Sequence, residues 1–231
     1  MKGGVLLIGS LLWEDETNSL NKEQGKLREK WRENLEISNK IYTKVPIRYG
    51  RKSTSKRCTY TMLFSNSVEQ LGTAVIIPFI NETETFNDIK NQALSLSYAE
   101  GISNKRYPDR LIASWGAVGI TFNKSKDEEY VELKKKWHDE FDHFDNVNYK
   151  IGTESPSISK KGELNFNLDL PEMLDYVFAT PVIPNISMYP TSDKIVSAIL
   201  ESKPKYDTYV KQNFINGIRV HDDEKIIERI G

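Results

Sequence analysis

Residues 5–16, VLLIGSLLWEDE, combine a strand signal with a turn signal in one short stretch. Residues 4–9 form a continuous apolar run, which predicts a buried strand. Gly9 and Ser10 predict a turn, yet the sequence stays apolar over 11–13 before three acidic residues follow. The residues alone therefore predict a strand that ends at Gly9, followed by side chains that pack in the core.

The residues after Gly9 exclude the two common nucleotide-binding loops that follow a first strand. A dinucleotide-binding fold needs glycines in the pattern G-x-G-x-x-G, so that the backbone approaches a pyrophosphate. Here a bulky apolar stretch occupies the positions of the later glycines. The phosphate loop G-x-x-x-x-G-K-[ST] is absent as well.

Composition and charge describe an ordinary globular chain of 231 residues. Hydrophobic residues make up 38% and charged residues 28%, which is not the composition of a disordered protein. The 32 basic and 33 acidic side chains give a net charge of -1, which argues against a dedicated nucleic-acid binder.

The cysteine count and the hydropathy pattern bear on the compartment. The single cysteine, Cys58, excludes an intrachain disulfide, favours a reducing compartment and is predicted to be a small core residue. No apolar run approaches the roughly 20 residues of a membrane span, and the start of the sequence shows no clear cleavage site. We therefore expect a soluble cytoplasmic protein that binds neither membrane nor nucleic acid.

Apolar periodicity predicts strands early in the chain with helices around them. The predicted strands cover residues 4–9, 44–51, 57–65, 72–79 and 111–122. The predicted helices cover residues 19–38, 86–101, 125–141 and 206–218, with a further helix starting at about 192. This order predicts the α+β class, with a mostly antiparallel sheet that curls into a small barrel around a cavity. The strand from Val5 and those near 57–65 and 72–79 are expected to share that sheet.

Residues 123–170 differ in composition from the rest of the chain. Residues 125–141 predict a solvated helix with one apolar side. Residues 150–170 are polar and contain Gly, Ser and Pro, which predicts a loop or a mobile excursion. We interpret 123–170 as an insertion in a single domain that covers residues 1–231.

Several short motifs occur in an order that resembles the γ-glutamylcyclotransferase-like superfamily, closest to its ChaC-type, glutathione-directed branch. GSLLW at 9–13 resembles the family signature Y-G-S-L-[IL]-W. GRKSTSKRCTYTMLF at 50–64 and LGTAVIIPF at 71–79 resemble an arginine-rich strand region and the G-x-A strand after it. YAEGI at 98–102 resembles the segment that carries the family's acid/base glutamate, and residues 206–230 resemble the ChaC-type tail.

This resemblance, which covers roughly residues 1–122 and 190–231, implies a fold, a reaction and a site. The implied fold is a small mixed or antiparallel β-barrel surrounded by helices, with an insertion and a helical C-terminal tail. The implied reaction converts a small γ-glutamyl compound, such as glutathione, into 5-oxoproline and a free amine without a metal or an organic cofactor. The implied site uses Glu100 as catalytic acid/base and a substrate-binding set of Ile8, Gly9, Ser10, Leu11 and Tyr107.

A departure from the family pattern keeps a second function open. Ile8 stands where the family has a tyrosine, and together with the insertion it favours a non-catalytic module that binds a small molecule or a partner protein. Glu100, followed by Gly101, favours the enzyme, as does the tail. A third alternative is amidotransfer or cyclisation on an unusual γ-glutamyl amine. The oligomeric state stays open.

Other charged side chains have two interpretations each. Arg48 and Arg51 suit a substrate carboxylate, but a solvated strand edge is the simpler interpretation. Glu100 also fits the last turn of a solvated helix. His138 and His143 lie in WHDEFDHFD, which suggests metal ligands, but their spacing of five does not place both imidazoles on one helix face. We predict a solvated acidic helix end there.

Overall fold

A computed structural model of the chain describes residues 1–53, 59–202 and 206–231, so Cys58 and the start of the predicted strand 57–65 lie outside the described residues. The fold is mixed α+β, as predicted. Its strands are β1 (Gly3–Leu7), β2 (Ile41–Val45), β3 (Ile47–Lys52), β4 (Tyr60–Phe64), β5 (Gly72–Pro78), β6 (Gly119–Phe122) and β7 (Tyr176–Ala179). Its helices are α1 (Lys22–Arg32), α2 (Phe86–Glu100), α3 (Val131–Asp139), α4 (Ser192–Glu201), α5 (Thr208–Ile215) and α6 (Asp223–Ile230). Within the described ranges, no helix is both long and apolar enough to cross a membrane.

A mixed five-stranded sheet in the order β2-β5-β1-β7-β6 forms the centre of the fold. β1 lies in the middle, where it pairs antiparallel with β5 and parallel with β7. Every residue of β1 is buried, because neighbouring strands take both of its edges and other elements cover both of its faces. The apolar run at 4–9 thus forms the predicted buried strand, which ends at Leu7 rather than at Gly9.

β3 and β4 form a separate antiparallel pair, so the described strands do not close into the small barrel that the sequence predicts. The sequence predicts one strand over 44–51, but Pro46 separates β2 from β3, because proline lacks the N–H that a sheet ladder requires. β2 stays with β5 in the large sheet, while β3 leaves it and takes β4 as its partner. β4 therefore does not share a sheet with β1 and β5, contrary to the prediction.

A β-bulge at Gly50 interrupts the β3–β4 pair. Tyr49 pairs with Met62 and Arg51 pairs with Thr61, which leaves Gly50 without a partner. A Cβ at this position would lie 2.6 Å from a side-chain carbon on β4, so a larger residue does not fit without movement. A bulge changes the direction of the side chains that follow it. Arg51 is the first residue after this one.

α2 confirms the helix predicted over 86–101. The side chain of Thr85 accepts a hydrogen bond from the Asp88 amide, and the Asp88 carboxylate accepts one from the Thr85 amide, which forms a capping box. Its apolar face is buried and consists of Ile89, Ala93, Leu96 and Ala99. The helix stops at Gly101, whose φ of +83° is a left-handed conformation that favours glycine. Glu100 is therefore its last residue.

α1 is shorter than the helix predicted over 19–38. The Asn21 side chain caps its N-terminus by accepting a hydrogen bond from the Gln24 amide. Trp31 anchors the helix in the core, where it is 5% exposed. α1 packs against α2. The Gln24 side-chain amide donates to the carbonyl of Ala99, so α1 satisfies part of the C-terminal end of α2.

The segment predicted as an insertion contributes to the core. Residues 150–170 contain no helix or strand, which agrees with the predicted loop, and their mobility stays a prediction. Trp137 on α3 is fully buried and its ring lies 5.7 Å from that of Phe178 on β7. Ile158 is fully buried as well. The Ile120 amide of β6 donates to the Gly162 carbonyl at 3.0 Å, which pairs the segment with the edge of the large sheet. Leu164 and Leu168 are buried as well, so the segment adds several side chains to the core despite its polar composition.

The C-terminal part of the chain, which contains α4, α5 and α6, contacts the five-stranded sheet. α4 begins at Ser192, as predicted, and α5 ends before Gly217, whose φ is +79°. After that turn, Arg219 exchanges backbone hydrogen bonds with Thr73 of β5 at 2.7 and 2.9 Å. α6 then starts at Asp223, a carboxylic acid that is 1% exposed. The hydroxyl of Tyr49 donates to Asp223 Oδ1 at 2.7 Å, and the Val220 amide donates to Oδ2 at 2.8 Å.

The burial of Asp223 predicts a specific pH dependence of stability. Burial raises the pKa of its carboxyl to about 6, although the bond from Tyr49 acts in the opposite direction. An unfolded aspartate has a pKa of about 3.9, so the folded state binds the proton more tightly. The free energy of unfolding therefore falls as pH rises from about 4 to 6, by about 2–3 kcal/mol from this group.

Asp223→Asn is expected to remove this slope, as measured by urea unfolding at several pH values. Asp222→Asn is the matched control, because its side chain is 43% exposed and carries no such burial cost. Equal slopes for wild type and Asp223→Asn between pH 4 and 6 would contradict the prediction.

Candidate active site

A cavity of about 190 Å³ lies where β1, α2, β3 and α5 meet. Residues 6–11 form one wall, which contains the end of β1 and the turn after it. Glu100 comes from the last position of α2. The remaining wall combines the apolar side chains of Met62, Trp115 and Val182 with polar and charged side chains from other elements. Five of the six site residues predicted from sequence therefore line one cavity: Ile8, Gly9, Ser10, Leu11 and Glu100.

The turn after β1 lines this cavity and has backbone amides without a partner among the described residues. Residues 10–12 form a short 3₁₀ turn, in which the amides of Leu12 and Trp13 donate to the carbonyls of Gly9 and Ser10. No group among the described residues accepts a hydrogen bond from the amides of residues 9–11. Consecutive unpaired amides form a favourable environment for an anion or a developing oxyanion.

Gly9 is required by a close approach rather than by its backbone conformation. Its φ of -167° is extended and open to any residue. A Cβ at Gly9 would lie 2.9 Å from the hydroxyl oxygen of Tyr209, which also lines the cavity. That hydroxyl accepts a hydrogen bond from the Met62 amide at 3.0 Å. The tail and the turn after β1 are thus packed against each other at the site.

Arg28 of α1 connects the turn to Glu100. Its Nη2 lies 3.2 Å from Glu100 Oε2, and its Nη1 donates to Ser10 Oγ at 3.0 Å. The same Nη1 donates to the carboxylate of Glu14, and Nε donates to the Ala99 carbonyl at 3.3 Å. The side chains of Arg28, Glu14 and Glu100 are 14%, 7% and 19% exposed. One guanidinium therefore holds two largely buried carboxylates.

The protonation of Glu100 reflects opposing effects. Burial is the largest and raises the pKa of its carboxyl, because a charged group loses solvation. The positive charge of Arg28 lowers the pKa, and the negative charge of Glu14 raises it. The net result is a pKa above the ordinary value for glutamate. A carboxylate with a raised pKa suits proton transfer near neutral pH.

Arg48 and Arg51, which the sequence analysis interprets in the same way, have different environments in the structure. Arg51 lines the cavity, and burial lowers the pKa of its guanidinium. Arg48 lies outside the cavity, with its guanidinium carbon 3.8 Å from the centre of the Tyr189 ring. Arg51 is partly buried, so the interpretation as a solvated strand edge does not describe it. The bulge at Gly50 lies between the two arginines.

Tyr107 does not line the cavity, and its role in substrate binding stays a prediction from the family resemblance. It is 41% exposed, and its amide donates to the Asn104 carbonyl in a turn that follows α2. The guanidinium of Arg110 lies 4.2 Å from its ring centre. The tyrosine found in the cavity wall is Tyr209. Tyr209 lies in YDTYV, within the tail that resembles the family. The resemblance implied no role for this residue, so the sequence analysis did not select it.

The histidines of WHDEFDHFD lie away from the cavity. His138 Nε2 lies 2.8 Å from Glu163 Oε1. His143 is exposed and has a φ of +65°. In the part of the chain that the structure describes, no group of three or more His, Cys, Asp or Glu side chains is arranged to hold a metal ion.

Comparison with known proteins adds no family assignment. No family model, curated protein or solved structure matches this chain. The function is therefore argued from the geometry of the cavity and from the motifs of the sequence.

Proposed function

We propose that the protein is a γ-glutamylcyclotransferase-like enzyme that converts a small γ-glutamyl compound, such as glutathione, into 5-oxoproline and a free amine. One observation carries the proposal. Glu100 and the turn at residues 9–11 are 89 or more positions apart in sequence, were selected from sequence motifs, and line the same cavity. The position of Tyr209 in the same wall adds the tail, a further part of the resemblance.

The proposed reaction is an intramolecular aminolysis. The α-amine of the γ-glutamyl group attacks its own side-chain carbonyl carbon, the amide C–N bond breaks, and the leaving nitrogen takes up the proton that the attacking nitrogen loses. No water is consumed. Because the nucleophile and the carbonyl belong to one molecule, the enzyme brings them together by holding the chain in the folded conformation that closes a five-membered ring.

Glu100 has the properties that the proton transfers require. Its carboxylate takes a proton from the α-ammonium, which frees the nucleophile, and then gives a proton to the leaving amine. A raised pKa brings the basicity of the Glu100 carboxylate closer to that of the two amines with which it exchanges protons. The amides of residues 9–11 supply donors for the oxyanion that forms on the carbonyl, without an additional cationic side chain.

The size of the cavity supports a small ligand. Its volume of about 190 Å³ lies below the roughly 300–1,000 Å³ of pockets for drug-sized ligands. A single γ-glutamyl group is the part that the reaction must enclose. The amine portion then extends through the opening, where it contributes less to recognition.

The proposal is tested by incubating the purified protein with glutathione and a panel of γ-glutamyl amino acids and following 5-oxoproline. We expect release from at least one compound at a rate well above a protein-free control, which measures spontaneous cyclisation. A protein that is inert on the whole panel would contradict the proposal.

A non-catalytic binding module on the same fold is the second candidate. Ile8 favours it, because an apolar side chain replaces the family's tyrosine in the wall of the cavity. The same panel separates the two functions, since a module binds a γ-glutamyl compound and returns it unchanged.

A further inference from the structure

Arg51 is a cation without a carboxylate partner. Its guanidinium is partly buried in the cavity wall, and the one hydrogen bond it makes with a described residue goes to the carbonyl oxygen of Ile183. No carboxylate among the described residues lies within ion-pair distance of it, in contrast to Arg28, which holds two. Buried charges in proteins are normally paired. An unpaired guanidinium in a cavity wall therefore indicates that an anion is the missing partner.

The local backbone places Arg51 at this wall. Gly50 is the unpaired residue of the bulge, and Arg51 resumes the ladder opposite Thr61, another residue of the cavity wall. Arg48, before the bulge, stacks on Tyr189 outside the cavity. Bulges occur next to ligand sites because they re-aim single side chains. Two arginines of one strand thus have different environments, and only one of them meets the cavity.

The cavity therefore carries charges of both signs. Glu100 supplies a carboxylate, and Arg51 supplies a cation whose fork of N–H donors matches a carboxylate. Arg28 is already occupied by Glu14 and Glu100. An amino-acid head has the complementary pair, an ammonium and a carboxylate on one carbon.

We propose that Arg51 binds the free α-carboxylate of the ligand and so makes the site selective for γ-linked compounds that keep both the α-amino and the α-carboxyl group. This inference rests on the proposed function for the identity of the ligand, since a γ-glutamyl group is such a head. The amides of residues 9–11 are then left for the carbonyl that is attacked. A ligand whose α-carboxylate is converted into a carboxamide loses the ion pair and leaves the guanidinium unpaired.

The experiment uses L-γ-glutamylglycine and the same dipeptide with its glutamyl α-carboxylate converted into a carboxamide. Binding of each is measured by calorimetry with wild type, Arg51→Met and Arg48→Met. We expect wild type to prefer the free acid by roughly 10–100-fold, the range for one charge-assisted hydrogen-bonded pair. Arg51→Met is expected to bind the acid that much more weakly and to lose the preference. Arg48→Met, the matched control from the same strand, is expected to keep both.

Folding and charge are controlled separately. Thermal unfolding checks that Arg51→Met is folded, and Arg51→Lys keeps the charge without the fork, so it is expected to recover part of the preference. Equal preference in wild type and Arg51→Met overturns the inference, as does a wild type that binds neither dipeptide.

The outcomes distinguish this inference from the proposed function. A wild type that prefers the acid through Arg51 but releases no 5-oxoproline supports the inference and contradicts the enzyme. A wild type that releases 5-oxoproline equally well as the Arg51→Met variant, from both dipeptides, supports the enzyme and overturns the inference.

Discussion

Glu100→Gln is expected to lower the rate of 5-oxoproline release by about 10²–10⁴-fold, the usual contribution of a general acid/base. Gln keeps the shape of the side chain and an oxygen that accepts from the α-ammonium, but it cannot carry a proton from that ammonium to the leaving amine. The loss should therefore appear in kcat, while KM changes little. The measurement is a steady-state comparison of the variant and wild type on the most active compound of the panel.

Glu14→Gln is the matched control for this prediction. Glu14 and Glu100 are both held by Arg28, so either substitution removes one carboxylate from the same guanidinium. Glu14 is not part of the cavity wall, so its variant is expected to retain most of the activity. If both variants lost activity equally, the ion cluster would be the cause, and proton transfer by Glu100 would be refuted. An equally active Glu100→Gln would assign the proton transfer to another group.

Local patterns in the sequence predicted the elements that hold the candidate site. The apolar run of β1 is continuous because the strand is covered on both faces, and α2 combines a capping box, an apolar stripe and a terminal glycine. Each of these signals arises from neighbours a few residues apart. They predicted the end of β1 to within two residues and placed Glu100 at the end of α2, which are the two parts of the site with the clearest motifs.

The pairing of strands could not be predicted in the same way, because it depends on contacts between distant residues. The sequences of β3 and β4 are those of ordinary antiparallel neighbours. No local feature shows that the chain leaves the large sheet after Pro46 and that β3 pairs with β4 instead. The burial of apolar residues within the loop 150–170 was missed for a related reason. Its polar composition dominates the pattern, whereas Ile158 packs in the core through contacts that composition does not report.

The charged residues of the site also differ in whether local sequence patterns could predict them. Glu100 was found because it precedes a helix-ending glycine in a familiar motif. The sequence could not show that only Arg51 lines the cavity and Arg48 does not. The bulge between them depends on the pairing of two strands, which one sequence segment does not reveal. Arg28 gave no signal at all, since it is one of several charges on α1. Its partners come from other elements, the turn after β1 and the end of α2.

Arg28→Met is expected to destabilise the fold by about 3 kcal/mol at neutral pH, because it leaves two largely buried carboxylates without their cation. The value lies at the lower end for broken buried pairs, since the Glu100 side chain keeps 19% exposure. The cost should depend on pH. Without Arg28 the folded-state pKa of Glu100 rises further, so the added penalty is small below about pH 4, near the unfolded pKa of glutamate, and grows as pH rises through the folded pKa. Urea unfolding of both proteins from pH 4 to 7 measures this difference.

Arg32→Met provides the control, and the activity of Arg28→Met provides a second readout. Arg32 lies one turn further along α1 and donates to the backbone carbonyls of Leu11 and Glu14 at 2.9 and 2.8 Å. Carbonyls do not titrate in this range, so its cost is expected to vary little with pH. In Arg28→Met, a higher pKa of Glu100 leaves less of the base form at neutral pH, so the acidic limb of the pH–rate profile should move to higher pH. A pH-independent cost together with an unmoved limb would show that Arg28 does not control the charge of Glu100, and that its role is limited to packing α1 against the turn.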